Sequence, residues 1–125
     1  MDTPVTGERG SSELVGIARF TFHEGKVEDF KRLSAQCMEI VRTKDTGTLQ
    51  YDIFLTPDES AAIVIERYRD SEALVKHLAN IGEDLMGDIS ATGSVYGETL
   101  GEPSAELRAN MESGPVRLFT PFLSL

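Results

Sequence analysis

Residues 61 to 65, Ala-Ala-Ile-Val-Ile, are apolar without a break. A strand built from them has to be covered on both faces, which argues against a sheet with one side left in water. Beyond Glu66, Arg67, Tyr68 and Arg69 comes Asp70, placed where an N-cap belongs. Its carboxylate can accept the unpaired amide hydrogens of a first helical turn. From there Leu74, His77, Leu78, Ile81 and Leu85 recur at helical spacing on one stripe. The only histidine expected inside a helix therefore faces inward. Glu66 and Tyr68, two apart on the strand, share one sheet face and Arg67 takes the other.

The rest of the chain supplies partners for this strand and helix. Leu14 to Phe22 predicts a first strand, with Leu14, Gly16, Ala18, Phe20 and Phe22 on one face. After the turn His23-Glu24-Gly25, Lys26 to about Arg42 predicts a helix whose stripe is Val27, Phe30, Leu33, Cys37, Met38 and Val41. Lys44 to Gly47 closes it. Thr48 to Leu55 alternates as a second strand, with Tyr51 and Ile53 on one side, and Thr56 to Ser60 is a hairpin turn into the third strand, Ala61 to Arg69. The order β-α-β-β-α is the first five elements of a ferredoxin-like split βαβ unit, an α+β fold on an antiparallel sheet.

The pattern is weaker past Gly82. Glu83 to Ala91 reads as a further helical turn or two, and Thr92 to Leu100 as a short strand or ordered loop. Pro103 to Met111 predicts a helix begun by a proline, and Val116 to Phe122 a closing strand, with Pro121 implying an edge or bulge. Residues 1 to 12 read as a flexible lead-in and 13 to 125 as a single domain, in which 84 to 114 is an insertion or flap. Any flap would wall a pocket.

Composition narrows the partners. A formal net charge of −9 argues against nucleic acid, which calls for clustered Lys and Arg, and disfavours anionic membranes. Cys37 is the sole cysteine, so no disulfide forms within the chain. Two histidines and that cysteine, without metal-ligand spacing, point to no metal site. Gly93, Gly97 and Gly101 lack the Gly-Lys-Ser/Thr of a phosphate loop, and no serine sits in a nucleophile elbow. The amino terminus has neither the basic region nor the apolar stretch of a secretory signal, so a cytoplasmic protein is expected.

The first and third strands are apolar on both faces, yet two or three helices cover only one face of a four-stranded sheet. The uncovered face would exceed the apolar patch a monomer tolerates. A second copy, its sheet packed about 10 Å away, removes the conflict. A homodimer through the sheet face is expected.

The run Glu66-x-Tyr68, a short polar turn, then Ala73-Leu74-x-x-His77 resembles the antibiotic biosynthesis monooxygenase family. The resemblance covers residues 14 to 82 and resumes near Val116 to Phe122. It implies a dimeric α/β barrel and an oxidoreductase that needs no cofactor. In such enzymes a small aromatic, a quinol or polyketide-like phenol, is deprotonated and its anion reduces molecular oxygen. The resemblance implies His77 as catalytic base, with Tyr68 and Glu66 beside it, and Tyr51, Phe20, Phe22 and Val64 as substrate-binding residues. Ala18 and Tyr68 stand where the haem-degrading branch carries asparagine and tryptophan, so haem degradation is not expected, and the tryptophan of several family oxygenases is missing too.

Each candidate has a plainer reading. His77 could be a core histidine holding one hydrogen bond; its sharper role rests on imidazole being suited to proton transfer near neutral pH. Glu66 could orient His77, or form a salt bridge at the rim. Tyr51 and Tyr68 could be core aromatics with a wet hydroxyl. Cys37, on an apolar stripe, reads as a small core residue. The rival to an oxygenase is a dimer of the same fold that binds a small molecule or serves only as structure. A cavity at His77 favours the first and solid packing around it the second.

Overall fold

A computed structural model describes residues 12–112 and 114–125 of the chain; most of the expected lead-in lies outside them. The elements run β1 (Leu14–Phe22), α1 (Val27–Lys44), β2 (Thr48–Leu55), β3 (Ala61–Tyr68), α2 (Ser71–Ser90), β4 (Gly93–Leu100), α3 (Ala105–Glu112) and β5 (Val116–Phe119). The strands form one sheet in the order β2-β3-β1-β4-β5. The first four pair antiparallel, in the arrangement of a split βαβ unit, and β5 adds a parallel edge to β4. The sheet is therefore mixed rather than purely antiparallel.

Strand parity sets the layers. Leu14 and Phe20 of β1 and Ala62, Val64 and Tyr68 of β3 are buried on one face. That face meets Phe30, Leu33 and Cys37 of α1 and Ile81 and Ile89 of α2 in the core. Phe20 and Phe22 both pack their rings on Phe30, with centroids 4.9 and 4.8 Å away. The opposite face carries Val15, Ile17, Ile63 and Ile65, which stay partly exposed, and Phe54, which is 53% exposed. Arg67 also lies there, its Nη1 3.1 Å from Glu13 Oε1.

Asp70 caps α2 as expected, accepting from the Ala73 amide at 2.9 Å. The buried stripe of α2 is Ala73, His77, Ile81 and Ile89, while Leu78 remains 45% exposed. The inward face is thus rotated away from the expected line through Leu78. Gly82 takes φ of +83°, a conformation costly for a residue with a Cβ, and kinks the helix there. The helix then resumes to Ser90.

The closing strand is a correction. Val116 to Phe122 was expected to complete the unit, but 93–100 does so, zipped along the whole of β1, and β5 lies outside it and ends at Phe119. Gly93, Gly97 and scattered polar residues obscure the alternation in β4. At Gly93 the glycine is required by proximity, because a Cβ would sit 2.2 Å from the Thr21 carbonyl oxygen. Residues 84 to 114 carry the end of α2, β4 and α3. No helix among the described residues is long and apolar enough to cross a membrane.

Candidate active site

The end of α1 brings a second acid to His77. Asp45, the C-cap of α1, has an extended backbone and a buried side chain, and its Oδ2 lies 2.8 Å from His77 Nδ1. Asn80 Nδ2 donates to Asp45 Oδ1 at 2.8 Å, and Thr48 Oγ1 donates to Oδ2 at 2.7 Å. Burial pushes the Asp45 carboxyl up, but the hydrogen bonds from Thr48, Asn80 and His77 together outweigh it and hold the group below its usual value. A carboxylate on Nδ1 fixes the ring's orientation and leaves Nε2 as its other nitrogen for exchange. Close approach makes this possible: a Cβ on Gly47 would lie 2.5 Å from the Ala73 Cβ, so glycine lets the loop sit against α2.

Asp45 escaped the sequence reading, which took it only as part of a helix-closing turn. A signal was present. A carboxylate at a helix C-terminus faces the negative end of the macrodipole and needs a compensating partner. Which partner it finds depends on a residue 32 positions later.

His77 borders a cavity of about 180 Å³ between the sheet and the two long helices. Phe20, Val64, Tyr51 and Glu66 line it, together with Ser34 and Cys37 of α1. Tyr68 and Phe22 do not. Tyr68 is fully buried behind the site, with its ring centroid 5.3 Å from that of His77, and its hydroxyl donates to Glu66 Oε1. Phe22 belongs to the aromatic cluster around Phe30. Tyr51 faces His77 from the other side, centroids 5.4 Å apart, and its hydroxyl is hydrogen-bonded to the Cys37 thiol. Ser34 Oγ is buried and has no partner among the described residues.

Among the described residues, Glu66 makes neither a hydrogen bond to His77 nor a rim salt bridge. It sits opposite Gly16 on β1, where a Cβ would come 3.4 Å from its Oε1, and it accepts from Tyr68. Burial raises its pKa, partly offset by the Tyr68 hydrogen bond. Burial, and then the charge of Glu66, also raise both tyrosines far above the usual phenol value, so both keep their protons. Burial likewise raises the Cys37 thiol, as suits a core residue. The chamber thus presents one imidazole–carboxylate pair, one buried acid with a raised pKa and, among the described residues, an unpartnered hydroxyl in an apolar wall.

The raised Glu66 pKa has a stability sign. A carboxyl whose folded pKa lies above its unfolded value of about 4.5 favours folding below that pH, and loses the advantage as pH rises through the folded pKa. Glu66→Gln keeps an acceptor for Tyr68 without a charge. Thermal melts should show the variant matching wild type near pH 4 and exceeding it increasingly toward pH 8. A variant less stable at pH 8 would contradict the assignment.

Among the described residues no three His, Cys, Asp or Glu side chains gather to hold a metal ion.

The same architecture recurs in solved structures. MupZ from Pseudomonas fluorescens superposes with a TM-score of 0.79 at 23% identity, over 92% of this chain and 89% of that one. Rv0793 from Mycobacterium tuberculosis gives 0.62 at 21% identity, over 74% of this chain and 97% of that one. SnoaB from Streptomyces nogalater, described as a cofactor-independent oxygenase, gives 0.60 at 15% identity, over 75% and 96%. At these identities the likeness establishes the fold. No curated protein sequence matches the chain. Residues 14–81, more than half of it and including every residue of the His77 pair and its tyrosines, match one family throughout: the chain belongs to the antibiotic biosynthesis monooxygenase family.

Proposed function

We propose that the protein is a cofactor-independent monooxygenase that oxidises a small aromatic, a quinol or polyketide-like phenol, with molecular oxygen. The observation that supports this most is the cavity: His77, held by Asp45, opens onto an apolar chamber instead of being packed solid. That is also what separates the reading from a purely structural role. SnoaB, a cofactor-independent oxygenase of the same fold, supports the reading.

His77 takes the phenolic proton, and the phenolate passes an electron to dioxygen. The radical pair joins at a ring carbon that carries hydrogen, forming a C–O bond, and the resulting peroxide takes the proton back from His77 to become a hydroperoxide. Loss of that hydrogen as a proton, with cleavage of O–O, releases water and leaves a carbonyl. The substrate supplies all four electrons, one oxygen atom ending in product and one in water. Ser34 donates to the developing oxyanion, and Tyr68 holds Glu66 in place at the chamber wall. Tyr51, Phe20 and Val64 exclude water, which strengthens each of these hydrogen bonds. Phe22 supports the wall from the core behind Phe20. The reaction belongs to the cytoplasm.

The active form is a homodimer whose open sheet faces pack together, burying Ile17, Ile63 and Ile65. Ile17→Asp combined with Ile65→Asp should convert the dimer to monomer in analytical ultracentrifugation. A wild-type protein that sediments as a monomer at micromolar concentration would contradict this.

The function is tested by dioxygen uptake of metal-free, flavin-free and haem-free protein against a panel of quinols and polycyclic phenols, with protein-free controls for autoxidation. Uptake above the controls is expected. A broad panel without any enzyme-dependent uptake would favour the non-catalytic binding module.

A further inference from the structure

A second apolar chamber, of about 170 Å³, lies beside the first. Its outer wall is Leu107 and Met111 of α3, Val116 of β5 and Gly97 and Thr99 of β4. All five lie beyond residue 81, where the family match ends. The two chambers share Ala18, Glu66 and Leu78 as walls. Glu66 thus stands at their junction, and half-exposed Leu78 borders both at the surface.

Several features keep this space open. Gly16 gives the Glu66 carboxylate its room, and Gly97 leaves the strand flat under Val116, whose Cγ2 a Cβ would meet at 3.3 Å. Among the described residues, the ionisable ones lining the second chamber are Glu66 and Glu98. Glu98 Oε1 is drawn toward Arg19, 3.5 Å from its Nε. The remainder of the wall is aliphatic except for Thr99.

We infer that α3 and β5 build a tail-binding chamber: the substrate is an elongated molecule whose phenolic head lies at His77 and whose unbranched aliphatic chain passes Glu66 into the space under Met111. This rests on the reading that the first chamber holds the head. A compact phenol would leave about half of the combined space empty. An anionic tail would meet Glu66 and otherwise mostly aliphatic wall, so the chain is hydrocarbon.

The methionines supply reporters, since Met86 lines the first chamber, Met111 the second, and Met38 neither. Protein labelled with [13C]methyl-methionine is titrated with phenol, 4-propylphenol and 4-pentylphenol. Phenol should shift Met86 alone, and 4-pentylphenol should shift Met86 and Met111 while Met38 stays still. Affinity should rise about three- to fourfold per methylene, and Met111→Trp, or Met111→Phe should tryptophan not be accommodated, should abolish that rise. A Met111 signal unmoved by 4-pentylphenol, or a chain-length gain that survives in the filled variant, would overturn the inference. Dioxygen uptake is read separately: uptake with phenols while Met111 stays silent removes the tail chamber and keeps the oxygenase. Movement of both methyls without uptake keeps the chamber and removes the oxygenase.

Discussion

Replacing His77 with glutamine should lower kcat for dioxygen consumption about 10²- to 10⁴-fold, the usual contribution of a positioned general base. Glutamine can still hydrogen-bond to Asp45, so the variant separates proton transfer from packing. His77→Ala should lose as much activity and also some stability, because Asp45 then keeps a buried charge with one partner fewer. Initial uptake rates at saturating substrate, read beside circular dichroism melts, check both statements. A glutamine variant that retains wild-type turnover would remove His77 from the chemistry and leave a chamber whose reactivity depends on hydrogen-bond donors alone.

Asp45→Ala should be the most destabilising single change in the site. It strands donors on Thr48 and Asn80 and the ring of His77 in a buried position. The expected loss is about 3 kcal/mol, which for a chain of this size lowers Tm by roughly 10 °C. The pH dependence follows from a folded pKa below the unfolded one. Asp45 contributes stability above its usual value of about 3.8 and loses it as pH falls through the lower folded value. Wild type should therefore shed its advantage over Asp45→Ala only in strong acid. Asp45→Asn retains the shape and isolates the electronic role: kcat should fall while KM changes little, because Asp45 acts through His77 and does not touch substrate. An alanine variant that melts with wild type at pH 7 would show that the pair carries no structural load.

The parts of the fold that were legible in sequence are those with a local cause. The apolar run at 61 to 65 and the Asp70 cap specify a strand and a helix start whatever else the chain does. Glu66 and Tyr68 were placed on a common face by parity alone, and they meet through a hydrogen bond. The order of the outer strands was not legible in this way. Val116 to Phe119 looks more like a strand than 93–100 does, and only pairing with β1 gives the glycine-rich segment its place. The same distinction divides the site. His77 shows on its own helix, whereas Asp45 acquires meaning only when the end of α1 meets the middle of α2. Tyr68 lies on the inward face that parity gives it but behind the cavity wall, because burial behind Glu66 is a property of packing and not of spacing.

The covering of β5 and α3 over the sheet edge gives the extra length of the chain a physical role, since these elements wall off the second chamber. The open face of the sheet stays free for a second copy. On the proposed function, catalysis and assembly would use opposite faces of the same three central strands.

The most direct test of the central claim is the fate of labelled oxygen. The protein, free of flavin, haem and metal, is supplied with a substrate that supports uptake under 18O2, and product and water are analysed by mass spectrometry. One 18O atom in each product molecule and one in water, with incorporation dependent on His77, is the predicted result. Product formed at the same rate without dioxygen, or carrying no 18O under conditions where its carbonyl does not exchange with water, would contradict it.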